Sequence, residues 1–497
     1  MIQTHILGYP RIGAKREIKK ASEKYWAGKI NLDQLIDAGK QQRQYNWKVQ
    51  KDAGINLIPV NDFSFYDHIL DMVLTTGAIP QRYQPLSNLN RHDLYFAMAR
   101  GYQEGNYDII PMEMTKWFDT NYHYIVPEFT KNQKFEYFSD KIISEFEEAN
   151  SFGINPKPVM IGPISFLLLG KEKEKGFNRI DLIDSLLPVY FEILTRLEAK
   201  GAEWIQLDEP FLALDLDDKY KTIYQEVYSK MRQHFPSLKL LVATYFEGLH
   251  DNMELATSMP IDALHLDLVR NPDQLDTILD KAPQELSLSL GLIDGRNIWK
   301  NNFEKSLEKI QKAIKEKGEE NIMLATSCSL LHVPYDLDLE DDEENLPQSV
   351  KNWLAFAKQK LDEVTTLAKL ADPATQKEAE SKSQENKQAI LDREQSRLIH
   401  KSQVRERMQS VSPEMTRRQD AFPNRQKEQE KNLSLPEFPT TTIGSFPQTK
   451  EIRKLRRQHK KGEISDEAYE NTIKEKISEV IQKQEDAGLD VVVHGEF

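Results

Sequence analysis

Cysteine is almost absent from this chain, because Cys328 is the single one among 497 residues and no intramolecular disulfide can form. The sequence also has no uninterrupted apolar run of the roughly 18 residues that a membrane-spanning helix needs. Its N-terminus shows no apolar stretch behind a basic start. These absences predict a reducing compartment, and we expect a cytoplasmic protein without a membrane partner.

Positive charge is in short supply as well. The formal net charge is −13, which disfavours nucleic acid and anionic membrane surfaces as partners. Apolar residues make up 39% of the chain, enough for a large core. The length allows two to four domains, although large barrels often exceed the usual domain size.

The two ends of the chain repeat each other at a constant spacing. Gly8 and Gly444 lie 436 positions apart, and from Arg16 and Lys450 onward the spacing stays at 434 through Phe63 and Phe497. Eleven of those 48 positions are identical. They include Glu17 and Glu451, Ile18 and Ile452, Gly28 and Gly462, and 52–54 with 486–488. A constant offset over this length predicts a duplicated structural unit.

Eight short runs rich in Val, Ile and Leu are separated by amphipathic segments of helical length. The predicted strands are Thr4–Gly8, Ile55–Val60, Val159–Ile164, Trp204–Leu207, Lys239–Ala243, Ala263–Leu268, Leu286–Leu292 and Ile322–Ala325. Nearly continuous apolar strands indicate a parallel sheet covered on both faces. Eight of them alternating with helices predict an α/β fold, the (β/α)8 TIM barrel. An open doubly wound sheet is the alternative, but 8–13 lacks the central glycine of its phosphate turn.

The domain organisation follows from this pattern. We expect residues 1–371 to form the N-terminal barrel, with a helix at Val350–Leu370 closing it and a long insertion at 61–157. The glycine-free tract after residue 371 is rich in Gln, Glu, Lys and Arg, which predicts a charged helical linker over 372–435. Residues 436–497 are expected to begin a second, truncated barrel.

Side chains that follow barrel strands converge on one face. The residues in such positions are Arg11, Asp62, Gly162, Pro163, Asp208, Glu209, Pro210, Thr244, Tyr245, Phe246, Glu247, Asp267, Asp294, Gly295, Arg296, Asn297, Cys328 and His332. The carboxylates among them are compatible with a barrel hydrolase that uses Asp208, Glu209 or Glu247 as acid and base. They are equally compatible with helix caps and with ion pairs to Arg11 or Arg296.

Two further features are open to a binding interpretation. Arg16, Lys19 and Lys20 share one face at the start of a predicted helix, where cations oppose the helix dipole unless an anion is bound. Lys116 lies in an aromatic segment, where a lysine often only covers apolar surface. Cys328 and His332 have poor spacing for a metal site, so we expect no metal ligand in this chain.

The motifs of this sequence together carry a family resemblance. They are Gly-Tyr-Pro-Arg-Ile-Gly at 8–13, Met-Thr-Lys-Trp-Phe-Asp-Thr-Asn-Tyr-His-Tyr at 114–124, Leu-Asp-Glu-Pro at 207–210, Ala-Thr-Tyr-Phe-Glu-Gly at 243–248, and Thr-Thr-Thr-Ile-Gly-Ser-Phe-Pro-Gln-Thr at 440–449. Over essentially its whole length the sequence resembles cobalamin-independent methionine synthases. The resemblance implies two face-to-face barrels and a methyl transfer from 5-methyltetrahydropteroyltri-L-glutamate to L-homocysteine.

The resemblance also implies roles for particular residues. The folate polyglutamate is expected at Arg16, Glu17, Ile18, Lys19 and Lys116, and homocysteine at Ile443, Gly444, Ser445 and Glu496. Zinc, rather than cobalamin, is the implied cofactor, with its ligands and the catalytic histidine beyond residue 497. The implied partners are the two small substrates and the protein's own C-terminal barrel.

Departures from the family pattern separate the two copies. The first copy has Tyr9 where the second has Ser445, and Asp62 where the second has Glu496. It also has Thr244-Tyr245-Phe246 where the family's second barrel has a His-x-Cys pair. We therefore expect no catalytic residue in this chain and no turnover by it alone. A folate-binding or scaffolding barrel without chemistry, and the carboxylate-based hydrolase, are the alternatives.

Overall fold

The computed structural model describes residues 2–497. The chain divides into two compact units, the first extending to Ile399 and the second running from His400 to Phe497. Among the described residues, no helix combines the length and the apolar character needed to cross a bilayer.

Eight parallel strands form the core of the first unit. They are β1 Gln3–Thr4, β2 Ile58–Val60, β3 Pro156–Ile161, β4 Trp204–Asp208, β5 Lys239–Ala243, β6 Ala263–Asp267, β7 Ser287–Ile293 and β8 Ile322–Thr326. Each of β2 to β8 pairs with its neighbour in sequence, and β1 pairs with β8. A parallel bridge between His5 and Leu57 joins β1 to β2 and closes the barrel. The predicted (β/α)8 fold is confirmed.

Helices surround these strands. Those of the first unit are Glu17–Trp26, Leu32–Ala53, His68–Thr75, Arg91–Arg100, Lys141–Phe152, Pro163–Leu169, Ile183–Ala199, Asp218–His234, Met253–Ser258, Gln274–Lys281, Phe303–Lys317, Gln348–Lys351, Ala357–Ala371 and Gln376–Gln395. Their starts follow from local sequence: Asn31, for example, accepts a hydrogen bond from the Gln34 amide and completes a capping box. Gly54 ends that helix with φ 88°, a conformation that suits glycine.

The long connection between β2 and β3 contains three of these helices and a small hairpin. The hairpin pairs Met114–Lys116 with His123–Ile125 in antiparallel register. A second small sheet pairs Glu128–Phe129 with Lys171–Glu172. The insertion therefore has secondary structure of its own.

The end of the barrel differs in detail from the expected continuous helix over Val350–Leu370. Leu354 forms a bridge with Trp299, and the Ala355 amide donates to the Ile298 carbonyl at 2.7 Å. Because this segment pairs as an extended strand, the long helix begins only at Ala357.

The first part of the charged tract packs on the barrel. Asn386 of helix Gln376–Gln395 is buried, donates to the Asn301 carbonyl at 2.8 Å and accepts from the Phe303 amide at 3.1 Å. The Arg393 guanidinium lies 3.9 Å from the centre of the Trp299 ring. This helix belongs to the first unit.

The second unit contains the helices Ser402–Gln409, Phe422–Leu433, Lys450–Lys460 and Asp466–Asp486. A parallel bridge joins Thr441 to Val491. With the sequence offsets of 436 and 434, this bridge corresponds to the His5–Leu57 bridge of the first barrel. The last two helices correspond to Glu17–Trp26 and Leu32–Ala53. The duplication inferred from sequence thus has a structural counterpart.

Candidate functional site

The mouth of the first barrel contains a cavity of about 60 Å³. Its walls include the predicted rim residues Arg11, Asp62, Asp208, Tyr245, Phe246 and His332, together with His68 and Trp117 of the insertion. Ligand pockets usually measure roughly 300–1,000 Å³, so this cavity is too small for a folate or a sugar. The structure brings these rim residues together but leaves little room between them.

Two carboxylates of the mouth sit in low-dielectric surroundings. Asp62 accepts a hydrogen bond from the Tyr9 amide at 2.8 Å, and burial raises its pKa to about 7. Asp208 accepts from Gln206 Nε2 at 2.7 Å and from the Tyr245 hydroxyl at 3.1 Å. Burial raises the pKa of Asp208 to about 6. Both acids are held by neutral donors.

The other acids proposed for a hydrolase lie elsewhere. Glu209 is fully buried behind the mouth and accepts hydrogen bonds from the hydroxyls of Tyr224 and Tyr228, each at 3.0 Å. Glu247 is half-exposed and lies 3.6 Å from His250 Nε2. Neither glutamate lines the cavity with Asp208. Glu209 and Glu247 therefore do not form with Asp208 the acid and base pair that a barrel hydrolase would need.

A network of hydrogen-bonded, buried polar side chains lies beneath the mouth. Lys157 Nζ hydrogen-bonds to His5 Nδ1 at 2.9 Å and donates to the Ile6 carbonyl at 3.1 Å and to Gln206 Oε1. The amide of Gln206 then donates to Asp208. Burial lowers the pKa of Lys157 to about 7. The barrel interior thus fixes the orientation of Asp208 from below.

The same hydrogen-bond network continues across the barrel. His5 Nε2 lies 2.7 Å from Ser289 Oγ, which lies 2.8 Å from His265 Nδ1. Burial lowers the pKa of His265 to about 3, so its ring is neutral at pH 7. This hydrogen-bond network was not predicted from the sequence, because the strands were treated as apolar runs. The signal was there, since His5, Gln206 and His265 are polar residues inside such runs.

Cys328 and His332 do not form a metal site with their neighbours. Burial raises the pKa of the Cys328 thiol, and burial lowers the pKa of His332 to about 4. The His332 ring packs against Phe246 and Tyr122. Across residues 2–497, no group of three or more His, Cys, Asp and Glu side chains has the geometry to hold a metal ion. The residues present do not fit zinc.

The predicted folate residues of the first copy occupy the start of helix Glu17–Trp26. Arg16 caps this helix with φ 61°, a left-handed conformation that is costly for a residue with a Cβ atom. No side chain among the described residues accepts a hydrogen bond as its N-cap. Glu17 accepts from the Lys15 amide at 2.9 Å, and Lys19 lies 3.8 Å from Glu23.

These residues differ in exposure. Arg16, Glu17 and Lys19 are exposed, whereas Ile18 is buried. Ile18 therefore anchors the first turn, and its amide donates to the Ile12 carbonyl at 3.2 Å. The result is a basic helix start at the surface of the barrel.

Lys116 lies on the hairpin of the insertion. It pairs with His123 across the hairpin, and its side chain is exposed. It takes part in no ion pair within residues 2–497. The next residue, Trp117, is buried and lines the barrel mouth. The hairpin thus covers the mouth with one side chain and presents a cation to solvent with the other.

The predicted homocysteine residues lie in the second unit. Ser445 Oγ donates a hydrogen bond to Glu496 Oε2, although 51 residues separate them in sequence. Gln448 Nε2 donates to the Glu496 carbonyl at 3.2 Å, and Glu496 has φ 59°. Ile443 is fully exposed, and Gly444 leaves open space beside it. The structure brings the hydroxyl and the carboxylate together beside the segments that the Thr441–Val491 bridge joins.

The fold and these sites define the class of proteins built from a (β/α)8 barrel and a repeat of its beginning. A family model described as "Cobalamin-independent synthase, N-terminal domain" matches residues 3–318. A second, described as "Cobalamin-independent synthase, Catalytic domain", matches residues 438–497. The chain belongs to the cobalamin-independent synthase family.

Two relatives carry the name 5-methyltetrahydropteroyltriglutamate–homocysteine methyltransferase. The protein of Flavobacterium johnsoniae is 56% identical over 499 residues, covering 100% of this chain and 64% of the relative. That of Cytophaga hutchinsonii is 54% identical over 499 residues, covering 99% of this chain and 64% of the relative. The chain thus spans less than two thirds of the length of these relatives.

A solved structure shares the fold. It is described as a putative vitamin-B12 independent methionine synthase from Listeria monocytogenes and has a TM-score of 0.50. Its sequence is 15% identical, and the match covers 73% of this chain and 95% of that one. At this identity the likeness supports the architecture alone.

Proposed function

We propose that this chain provides the folate-tail site and part of the homocysteine site of a methyltransferase. The reaction moves the methyl group of 5-methyltetrahydropteroyltri-L-glutamate to L-homocysteine and gives L-methionine without cobalamin. The name carried by both relatives supports the reaction. The observation that carries the proposal is the contact between Ser445 and Glu496, because it pairs a hydroxyl donor with a carboxylate.

This pair suits the two charged ends of an amino acid. The Ser445 hydroxyl would donate to the homocysteine carboxylate instead of to Glu496. Glu496 would then be free to pair with the ammonium group. Charge-assisted hydrogen bonds of this kind are shorter and stronger than neutral ones, so both contacts would contribute to affinity.

The basic helix start suits the polyglutamate tail. Arg16 and Lys19 provide cations, and the positive end of the helix dipole favours an anion at the same place. Lys116 provides a further cation on the hairpin, one that makes no ion pair within residues 2–497. We propose that the carboxylates of the tail lie against these groups, and that this interaction offsets the strain at Arg16.

Zinc is the proposed cofactor of the whole protein. A metal ion that binds the homocysteine sulfur keeps it as a thiolate near neutral pH, which is the nucleophilic form. Because the described residues hold no suitable group, we propose that the ligands belong to the remainder of the catalytic barrel. That barrel would also be the partner of the first one. No step of the reaction is assigned to a metal in this chain.

A second candidate function is a barrel that binds without chemistry. The cavity of about 60 Å³ at the mouth favours it for the first unit, because a folate is too large for this space. The proposed division of labour accommodates this observation. The first barrel would bind the tail and support the second, and chemistry would take place elsewhere.

Titration of the chain with monoglutamyl and triglutamyl 5-methyltetrahydrofolate tests the proposal. We expect tighter binding of the triglutamyl form. Arg16→Ala, Lys19→Ala and Lys116→Ala should each weaken it by about two- to fivefold, the range for exposed ion pairs. Lys24→Ala is the matched control, because Lys24 lies in the last turn of the same helix. This variant should bind the triglutamyl form as tightly as wild type. Equal affinity for both folates would refute a tail site.

A further inference from the structure

We propose that Asp119 is a positioning residue for the folate tail, and that it acts by clasping the hairpin that carries Lys116 to the barrel. This inference rests on the proposed function, because Lys116 is the cation expected to contact the tail. It adds a residue that touches no substrate and still determines where that cation lies.

Asp119 lies at the tip of the hairpin and contacts two arginines of the barrel. One carboxylate oxygen lies 2.6 Å from Arg296 Nη1, and the other accepts a hydrogen bond from Arg270 Nη2. The Asp119 carbonyl also accepts from Arg296 Nη2 at 3.1 Å. Three contacts from two separate loops hold the tip in one place.

The arginines are themselves held by the end of β6 and by Phe246 in the loop that follows β5. Arg270 Nε donates to the Phe246 carbonyl at 3.1 Å, and its amide donates to Asp267 at 2.9 Å. The Arg296 guanidinium lies 5.1 Å from the centre of the Phe246 ring. Because these loops leave rigid barrel strands, the clasp transmits the position of the barrel to the hairpin.

The backbone at the clasp shows that this conformation is held in place. Phe118 has φ 49° and Phe246 has φ 78°, both in the left-handed region that side chains disfavour. Their rings pack at 5.7 Å between centres. Such strained residues persist only where the surroundings hold them, and they gather at functional sites.

Lys116 is close enough to the clasp to depend on it. The hairpin has only three residue pairs, and a hairpin of two short strands is marginally stable alone. Residues 117–122 form the turn between the two strands, and the Trp117 amide donates to the Tyr122 carbonyl across it at 2.7 Å. Loosening Asp119 therefore loosens Lys116.

The test compares Asp119→Asn with wild type by two measurements on the whole 497-residue chain. Hydrogen exchange reports the protection of amides 114–125, and titration reports the ratio of the dissociation constants for monoglutamyl and triglutamyl 5-methyltetrahydrofolate. We expect faster exchange in the hairpin and a ratio within about twofold of that of Lys116→Ala. In the Lys116→Ala background, Asp119→Asn should change the ratio no further. Asp119→Glu, which keeps the charge, should restore part of it.

Asp108→Asn is the matched control, because Asp108 is an exposed acid of the same insertion whose side chain accepts from Gln103. It should leave both measurements unchanged. Unaltered exchange, or a wild-type ratio in Asp119→Asn, would overturn the inference and leave the tail site standing. If the wild-type protein itself bound both folates with equal affinity, the tail site would be refuted and the role of Asp119 with it. Tryptophan fluorescence confirms that each variant is folded.

Discussion

Replacing Asn56 with alanine should destabilise the first barrel at the seam where β1 meets β2. Asn56 Oδ1 accepts hydrogen bonds from the Thr4 amide at 2.8 Å and from the Thr4 hydroxyl at 2.9 Å. The backbone amide of Asn56 donates a hydrogen bond to Thr4 Oγ1 at 3.1 Å. Since β1 is two residues long, these bonds make up much of its attachment to β2.

The expected loss follows from the bonds removed. Asn56→Ala deletes both bonds to Oδ1 and leaves the amide of the buried Thr4 without its partner. Each net hydrogen bond contributes about 1 kcal/mol, and an unsatisfied buried donor costs about 1–3 kcal/mol. Asn56 itself is exposed, so water can replace part of what is lost. We expect a fall of about 2 kcal/mol in the free energy of unfolding.

Tryptophan fluorescence during urea unfolding measures this loss. All six tryptophans of the chain precede residue 400, so the signal reports the first unit alone. The midpoint should fall while the slope of the transition stays constant. The control comes from the second unit, where Asp490 accepts from the amide and the hydroxyl of Thr440, both at 2.8 Å.

Asn56→Asp should accordingly keep the midpoint near the wild-type value at pH 7, because a carboxylate accepts the same two bonds. The reasoning would be refuted if Asn56→Ala left the midpoint unchanged. It would also be refuted if Asn56→Asp were as destabilising as the alanine variant.

Three further results are expected. Burial raises the pKa of Glu209 to about 7 from an ordinary 4.5, so the folded state holds this proton at pH values where the unfolded state releases it. The free energy of unfolding should then fall as the pH rises from 4.5 to 7. Urea unfolding at pH 5 and at pH 8 measures this fall, and Glu209→Gln should make it smaller by up to about 3 kcal/mol. Gly291→Ala should lower the midpoint by the equivalent of about 1–3 kcal/mol, because a Cβ atom would lie 2.5 Å from the Leu266 carbonyl oxygen; a wild-type midpoint would contradict this. The chain with zinc should form no methionine from triglutamyl 5-methyltetrahydrofolate and homocysteine, and methionine production at rates typical of the family would disprove that expectation.

Much of the fold could be predicted because its signals are local in sequence. Apolar runs of strand length predicted all eight barrel strands, although the first was expected at Thr4–Gly8 and is Gln3–Thr4. The constant offset between the ends predicted a repeat, and the bridges His5–Leu57 and Thr441–Val491 show it in the structure. Patterns of this kind depend on neighbouring residues and so are readable without coordinates.

Features that depend on distant residues were not predicted. Asp119 meets Arg296 across 177 positions, and His5 meets Ser289 across 284. The closing segment around Leu354 became extended because Trp299 offers it a partner, which overrides its helical pattern. Position after a strand placed Glu247 at the mouth, but its side chain lies outside the cavity. A single sequence does not show such tertiary contacts.

The two equivalent seams, at the bridges His5–Leu57 and Thr441–Val491, have a consequence for how this protein folds. Each joins residues about fifty positions apart, with two helices between them, so each module closes through contacts that are short-range for a barrel. In the second module, the seam consists of the Thr441–Val491 bridge and the hydrogen bonds between Thr440 and Asp490. Low contact order of this kind favours early formation, and it makes the strand–helix–helix–strand unit a candidate folding nucleus in either copy.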